Sequence, residues 1–254
     1  MKKLYIIILV SLVIIGGIYM LIKKDKTVTQ TTQTTQNGPV KIIPISHATA
    51  VINWGDKNIY TDSVGGAEVF TDQASPDIIL LTDIHGDHLN VDTLIKVLGR
   101  AILITPQAVK DLLPADLALK AQVMKNGETK TFGGFTITAI PMYNLPESKD
   151  AFHTKGRGNG YVVEKDGFQV YIAGDTSGTL EMRALKNIDI ALVPMNLPYT
   201  MSVEEAANAV LEFKPKQVWP YHYRGPGGLS DVQHFKDLIN AGDPNIEVIL
   251  GKWY

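Results

Sequence analysis

The distribution of apolar residues divides the chain into three parts. The run from Leu4 to Ile22 contains no charged residue and is flanked by lysines on both sides. Its length is close to the roughly 20 residues that span a bilayer. A cleaved signal peptide is the alternative, but it would have a shorter apolar core followed by a small-residue cleavage site. We predict that residues 1–24 form an uncleaved N-terminal transmembrane helix.

Residues 25–38 are polar and of low complexity, dominated by threonine and glutamine. Such a composition cannot bury a core and is typical of a flexible linker. The lysines on both sides of the apolar run give little indication of orientation. Because an anchor followed by a polar tether is common in exported bacterial domains, we expect a membrane-anchored protein whose domain lies on the extracytoplasmic side.

From residue 39 to residue 254 the pattern alternates between short apolar runs and amphipathic segments, without a second linker. Continuous or alternating apolar runs indicate strands, and apolar residues repeating every three or four positions indicate helices. Each of two β-rich halves is followed by helices, which predicts an α+β domain of two packed sheets with helices outside. Strands are predicted at 40–45, 48–54, 58–61, 77–82, 101–105, 129–132, 135–140, 160–164, 169–173, 188–194, 217–221 and 245–251, and helices at 90–98, 106–113, 202–213 and 230–242.

Composition and charge narrow the possible functions. The net charge of −2 provides no basic field, so we expect a small-molecule substrate and no nucleic-acid partner. The chain has no cysteine, which excludes thiolate metal sites and cysteine nucleophiles. Any bound metal must therefore be held by carboxylates and by some of the six histidines. Nothing in the sequence indicates an oligomeric state.

The strongest chemical signal is Asp83-Ile-His85-Gly-Asp87-His88, directly after the predicted strand 77–82. A loop at the end of a buried strand is held by a rigid scaffold and often carries function. Imidazole and carboxylate are the zinc ligands that remain when cysteine is absent. A polar loop with a capping aspartate and incidental histidines is the alternative, but four potential ligands within six residues favour a metal site.

This motif resembles the signature of the metallo-β-lactamase superfamily, whose usual form is His-x-His-x-Asp-His. Further segments match the superfamily in the expected order, and two of them resemble its L-ascorbate-lactonase-like branch. The superfamily segments are Gly174-Asp175-Thr176 and Pro220-Tyr221-His222, and the branch segments are Ile45-Ser-His47-Ala48 and Tyr199-Thr-Met-Ser202 followed by Glu204-Glu205-Ala206. The resemblance covers the chain from about Val40 onward.

The resemblance implies a four-layer αββα sandwich and a metal-dependent hydrolase. It implies two divalent metal ions, with zinc expected and manganese or iron as alternatives, and a bridging hydroxide that attacks a lactone, amide or phosphodiester. By position, His85 would bind the first ion, Asp87, His88 and His222 the second, and Asp175 both. Asp87 would also be catalytic, because it could orient the hydroxide and protonate the leaving group.

Two positions depart from the superfamily pattern. Asp83 stands at the position where the superfamily usually has the first histidine of its motif. Asn144 stands near the position where the superfamily usually has another metal-binding histidine. Asp83 is a chemically acceptable metal ligand. His153 is the candidate to replace the histidine that is missing near Asn144. If the first site is weak, Asp83→His is expected to raise the metal content. The alternative is a membrane-tethered metal-binding sensor or scaffold whose site has decayed and no longer hydrolyses anything.

Contacts to substrate are predicted for His47, Asn144 and Tyr199, which lie in or near the matching segments. The alternatives are that His47 supports the site from behind or is a hydrogen-bonded loop histidine, and that Tyr199 only packs in the core or at the rim. Arg157 and Arg224 are weaker candidates: either could contact an anionic substrate, but an ordinary surface charge is the simpler interpretation.

Overall fold

The computed structural model describes residues 38–254. The predicted membrane anchor at 1–24 and all of the linker except Gly38 lie outside these residues. Within 38–254, no helix is both long enough and apolar enough to cross a membrane.

The first half forms a six-stranded sheet in which neighbouring strands follow one another along the chain. The pairs β1–β2 and β2–β3 are antiparallel, and the other pairs are parallel. Gly55 begins the two-residue turn between β2 and β3 with a φ of 63°, a conformation that glycine adopts without steric cost. The strands are β1 (Val40–Ser46), β2 (Thr49–Trp54), β3 (Lys57–Thr61), β4 (Ile78–Leu80), β5 (Ile102–Thr105) and β6 (Gln122–Val123).

The second half forms a seven-stranded sheet in the order β15-β12-β11-β10-β9-β8-β7. Strands β7 to β10 pair antiparallel, whereas β10, β11, β12 and β15 pair in parallel. The strands are β7 (Thr129–Phe132), β8 (Phe135–Met142), β9 (Gly158–Lys165), β10 (Phe168–Ile172), β11 (Ile190–Pro194), β12 (Gln217–Tyr221), the separate pair β13 (Arg224–Gly225) and β14 (Gly228–Leu229), and β15 (Glu247–Val248).

Helices follow strands in both halves. Asn90 caps the first helix by accepting a hydrogen bond from the Thr93 amide, and Ser202 caps a later one by accepting a hydrogen bond from the Glu205 amide. The last helix is capped by Asp231. The helices are α1 (Val91–Val97), α2 (Gln107–Lys110), α3 (Ala115–Lys120), α4 (Leu180–Arg183), α5 (Val203–Phe213) and α6 (Val232–Gly242), with a 3₁₀ turn at Ala67–Phe70.

Buried side chains show that the elements form four layers. Between the sheets, the Trp54 ring meets the Phe135 ring edge-on at 5.2 Å. On the outer face of the first sheet, Ile79 belongs to the same buried cluster as Leu94 of α1. On the outer face of the second sheet, α5 packs through the ring of its last residue, Phe213, which lies 6.0 Å from Tyr171. The predicted arrangement of two packed sheets with helices outside is therefore confirmed for residues 38–254.

The predicted elements and the structure differ in a few short segments. The strand predicted at 245–251 is only Glu247–Val248. The helix predicted at 106–113 ends at Lys110, and a second short helix begins after Pro114. Proline disfavours helical geometry in the residue before it, which explains the interruption. Helices α3 and α4 were not predicted, because elements of four to six residues show hardly any periodicity.

Candidate metal centre

The motif loop begins after β4 and turns sharply. The amides of His88 and Leu89 both donate hydrogen bonds to the carbonyl of His85, at 2.9 and 2.8 Å. The side chains of this loop differ in burial. The side chains of Asp83 and His88 are fully buried, whereas His85 and Asp87 keep 40% and 43% of their side-chain surface exposed. The loop therefore presents four potential ligands at the edge where both sheets end.

One group of donor atoms comes from Asp87, His88 and His222, with Asp175 beside them. The Nε2 atoms of His88 and His222 are 3.2 Å apart. His222 Nε2 lies 3.3 Å from Asp87 Oδ2 and 3.4 Å from Asp175 Oδ1, and His88 Nε2 lies 3.4 Å from Asp175 Oδ2. Ligand atoms about 2.1 Å from a tetrahedral ion are about 3.4 Å from each other. This group therefore fits a divalent ion without rearrangement. We call it the second cluster, because the resemblance assigns these residues to the second metal ion.

Asp83, His85 and His153 form another group of donor atoms. We call this group the first cluster, because the resemblance assigns His85 to the first metal ion. His153 Nε2 lies 3.7 Å from Asp83 Oδ2 and 3.2 Å from Asp175 Oδ2. His85 Nδ1 lies only 2.7 Å from Asp83 Oδ2, which is a hydrogen-bond distance. The donor atoms of the first cluster therefore lie close together, but His85 and Asp83 are hydrogen-bonded to each other.

Asp175 lies between the clusters. Its Oδ2 atom approaches His153 and His88, and its Oδ1 atom approaches His222. His153 Nε2 and Asp175 Oδ1 are buried and make no hydrogen bond within the described residues. A buried polar atom without a partner costs about 1–3 kcal/mol. A divalent ion in each cluster would satisfy both atoms, so the residues present fit the two metal ions that the resemblance implies.

The charges of the site favour a cation. Burial would lower the pKa of His88, but the carboxylates of Asp175 and Asp62 outweigh burial and raise this pKa well above its usual value. Burial would raise the pKa values of Asp87 and Asp175, but the nearby histidines hold both below the usual aspartate value. The carboxylates thus stay charged, and the field that retains a proton on His88 would also attract a metal ion.

Asp62, which sequence reasoning missed, orients His88 from behind. His88 Nδ1 lies 2.9 Å from Asp62 Oδ2 and 3.0 Å from the hydroxyl of Thr82. The Thr82 amide donates to Asp62 Oδ1 at 2.7 Å, and its hydroxyl donates to Oδ2 at 2.7 Å. Burial raises the pKa of Asp62, although the charge of His88 opposes this rise. A carboxylate behind a metal-binding imidazole fixes the ring and leaves Nε2 for the metal.

Asn144 and Tyr199, predicted as substrate contacts, both hold His153. Asn144 Oδ1 accepts hydrogen bonds from the His153 amide at 2.8 Å and from its Nδ1 at 3.1 Å. The carbonyl of Tyr199 lies 3.2 Å from the same Nδ1 and accepts the Asn144 side-chain amide at 2.8 Å. The Asn144 amide is therefore used to orient His153, and its contact with substrate stays a prediction.

His47 supports His222 rather than joining either cluster. The His222 amide donates to the His47 carbonyl at 3.2 Å, and the two rings meet edge-on at 5.4 Å. On its other side, His47 Nδ1 lies 3.1 Å from the Tyr254 hydroxyl. Burial and the charge of His222 lower the pKa of His47. Both histidines have left-handed backbones, with φ of 48° and 45°, a strain of about 1–3 kcal/mol that is common at functional sites.

Arg157 pairs with Asp83 instead of pointing to solvent. Its Nε lies 3.2 Å from Asp83 Oδ1, and its Nη2 lies 3.2 Å from Oδ2. Burial would raise the pKa of Asp83, but the hydrogen bond from His85 and the charges of His88, His85 and Arg157 lower it to about 2. The interpretation of Arg157 as an ordinary surface charge is therefore wrong.

A cavity of about 360 Å³ opens onto both clusters. This volume lies within the range of small-molecule sites. Among residues 38–254, neither lysine nor arginine lines it, and neither do the predicted contacts His47 and Asn144. The residues that line it are His85, Asp87, Phe152, His153, Asp175, Asn196 and Tyr199.

Comparison with known proteins identifies the family. The family model described as the beta-lactamase superfamily domain matches residues 41–222, which is more than half of the chain. The chain belongs to the metallo-β-lactamase superfamily. Within this superfamily, the chain is 32% identical over 210 residues to a UPF0173 metal-dependent hydrolase of Pyrococcus furiosus, covering 79% of this chain and 92% of that one. The hydrolase assignment made from the sequence is thus confirmed.

Solved structures agree with this superfamily assignment. A Parabacteroides distasonis protein assigned as a metal-dependent hydrolase is 35% identical, with a TM-score of 0.74 covering 85% of this chain and 94% of that one. Igni18, a metallo hydrolase of Ignicoccus hospitalis, has a TM-score of 0.69 over 83% of this chain and 94% of its own, and at 23% identity it supports the fold alone. Neither structure tests the lactonase-like branch, which stays a prediction.

Proposed function

We propose that this protein hydrolyses a small lactone or amide with the help of two divalent metal ions, zinc being expected and manganese or iron the alternatives. The observation that carries the proposal is the pair of buried atoms His153 Nε2 and Asp175 Oδ1, which make no hydrogen bond within residues 38–254 and lie at the junction of the two clusters. Asp83, His85 and His153 would hold the first ion, Asp87, His88 and His222 the second, and Asp175 both. When bound, the ions would lower the pKa of water and polarise the oxygen under attack.

Asp87 is the residue best suited to move a proton. Its carboxylate is half-exposed in the cavity, and its Oδ2 atom is 3.3 Å from His222 Nε2. Oδ1 is 3.9 Å from His88 Nε2, beyond hydrogen-bond distance. Oδ1 is therefore available to accept a proton from the attacking water and to pass it to the leaving group.

The cavity lining favours an uncharged substrate. The half-exposed Phe152 ring packs edge-on against Tyr199 at 4.9 Å and forms an apolar rim. Because no lysine or arginine within 38–254 lines the cavity, nothing besides the metal ions would neutralise a phosphodiester. We therefore place a lactone or amide before a phosphodiester.

The test measures metal content and turnover together. The purified full chain is expected to hold about two ions and to hydrolyse members of a panel of lactones and amides more readily than an aryl phosphodiester. Asp87→Ala should abolish turnover, whereas the matched control Asp116→Ala, at an exposed aspartate of α3, should not. Normal turnover in Asp87→Ala would rule out this mechanism, and preferential phosphodiester cleavage would rule out the proposed substrate class.

The cellular setting is proposed from residues 1–38, whose sequence suits an anchor and a tether. We propose that the catalytic domain acts on the outer face of the membrane on a diffusible small molecule. Protease added to intact cells should then degrade the domain. Protection in intact cells, together with degradation after lysis, would overturn the orientation.

A further inference from the structure

The buried carboxylate of Asp83 is held by a side chain from the other half of the domain. Arg157 lies in the loop between β8 and β9 of the second sheet and contacts both oxygens of Asp83 at 3.2 Å. This two-point contact uses the planar fork of the guanidinium, which a lysine cannot reproduce. The Asp83 side chain is fully buried, and that of Arg157 is only 20% exposed. The ion pair is therefore largely shielded from solvent.

The same loop carries His153. The Arg157 amide donates to the Thr154 carbonyl at 3.2 Å, and its Nη2 atom donates to the Phe152 carbonyl. The guanidinium is thus fixed to the backbone around His153 while it reaches Asp83. Arg157 thereby sets the separation of Asp83 Oδ2 and His153 Nε2, which are 3.7 Å apart.

The ion pair with Arg157 also compensates the negative charge of the buried Asp83 carboxylate. A fully buried carboxylate is costly unless a cation or hydrogen-bond donors compensate it. We propose that Arg157 is a positioning residue for the first metal ion: it fixes Asp83 as an oxygen ligand and offsets its charge, so that the pair replaces one neutral histidine. The proposal rests on the two-ion function proposed above. It reverses the expectation that Asp83→His raises metal content, because that change leaves the Arg157 guanidinium unpaired beside a divalent cation.

A double-mutant cycle on the full chain tests the pair. Wild type, Asp83→His, Arg157→Met and the double variant are loaded with Zn²⁺ and dialysed. Zinc per chain is measured by elemental analysis, and affinity by competition with a chelator. We expect about two ions in wild type, about one in each single variant with affinity for the weaker ion at least about 10-fold lower, and recovery to within about 3-fold in the double variant. Arg183→Met is the matched control, because Arg183 is similarly buried but pairs with Glu212.

Unfolding temperatures in chelator establish that each variant folds. Where Arg157→Met does not fold, Arg157→Lys decides, because it keeps the charge without the fork and should weaken the first ion several-fold. Wild-type zinc affinity in either Arg157 variant would overturn the proposal, as would a double variant no better than Asp83→His. If wild type itself holds two ions, such a result leaves the two-ion function standing. Fewer than two ions in wild type would overturn both.

Discussion

Asn144 Oδ1 accepts hydrogen bonds from both the amide and Nδ1 of His153, at 2.8 and 3.1 Å. Because a carbonyl oxygen can only accept, Nδ1 must carry the imidazole proton. In the tautomer with this proton, the lone pair lies on Nε2, which is the atom that faces Asp175 and Asp83. One amide side chain thus fixes both the tautomer and the direction of a candidate ligand.

Replacing Asn144 should therefore weaken the first metal ion. We expect Asn144→Ala to lower its affinity by about 10- to 100-fold, the usual range when the partner of a metal-binding histidine is lost. Chelator competition measures this change. Asn240→Ala, at an exposed asparagine of α6, is the control and should retain wild-type affinity. An unchanged affinity in Asn144→Ala would show that His153 needs no such support.

Asp62 should matter for the second cluster in the same way. Its φ of 44° is left-handed, a conformation that asparagine tolerates, so Asp62→Asn should fold. We expect it to lower the affinity of the second ion by about 10-fold or more, because His88 loses its carboxylate partner. Asp62→Ala should in addition lower the unfolding temperature in chelator, because Thr82 loses two buried hydrogen bonds. Equal metal affinity in wild type and both variants would contradict the orienting role.

Removal of metal should destabilise the folded protein. A ligand present at about 1,000 times its Kd contributes about 4 kcal/mol. For a domain of this size, that corresponds to a fall in the unfolding temperature on the order of 10 °C. Differential scanning calorimetry with and without EDTA measures the shift, and added Zn²⁺ should reverse it. An unfolding temperature insensitive to both reagents would argue against bound metal.

The protein should lose its metal ions as the pH decreases. A histidine must lose its proton to bind a metal, so protons compete with the ion as the pH decreases. The raised pKa of His88 in the metal-free protein places the onset of this competition above pH 6.5, the usual histidine value. Dialysis between pH 8 and 5 followed by elemental analysis checks this. Full metal content at pH 5 would contradict it.

The aromatic rim should affect substrate binding more than chemistry. Phe152 lines the cavity and packs against Tyr199, but its ring contains no group that could bind metal or move a proton. We expect Phe152→Ala to raise KM about 3- to 10-fold, corresponding to lost apolar contact, and to leave kcat and metal content nearly unchanged. Steady-state kinetics on the best substrate of the panel measures both constants. A selective fall in kcat would place Phe152 nearer the reacting atoms.

The layered fold was accessible from sequence because the strands and long helices carry clear apolar patterns. Helix α5, for example, has both a capping serine and a regular apolar face. The sequence did not reveal which residues that are distant along the chain lie close together in the fold. Asp62 follows β3, far from the motif in sequence, and the parallel pairing of β3 with β4 brings it behind His88. No local signal distinguishes such an aspartate from a turn residue.

The role of Arg157 shows the same limit. Its glycine-rich surroundings suggest a tight turn, and only the approach of the β8–β9 loop to the motif reveals its partner Asp83. His153 was a candidate because a ligand was missing nearby, but Asn144 was assigned to substrate binding. The hydrogen bonds between these two residues depend on loop geometry that composition does not encode.

The two clusters draw their residues from both halves of the domain. Asp83, His85, Asp87 and His88 extend from the first sheet, whereas His153, Asp175 and His222 belong to the second. Bound ions would therefore act as cross-links between two sheets in a chain that has no cysteine and hence no disulfide. Loss of metal would release this edge of the sandwich first, so amide hydrogen exchange should rise at the strand ends around the site before it rises at the opposite edge.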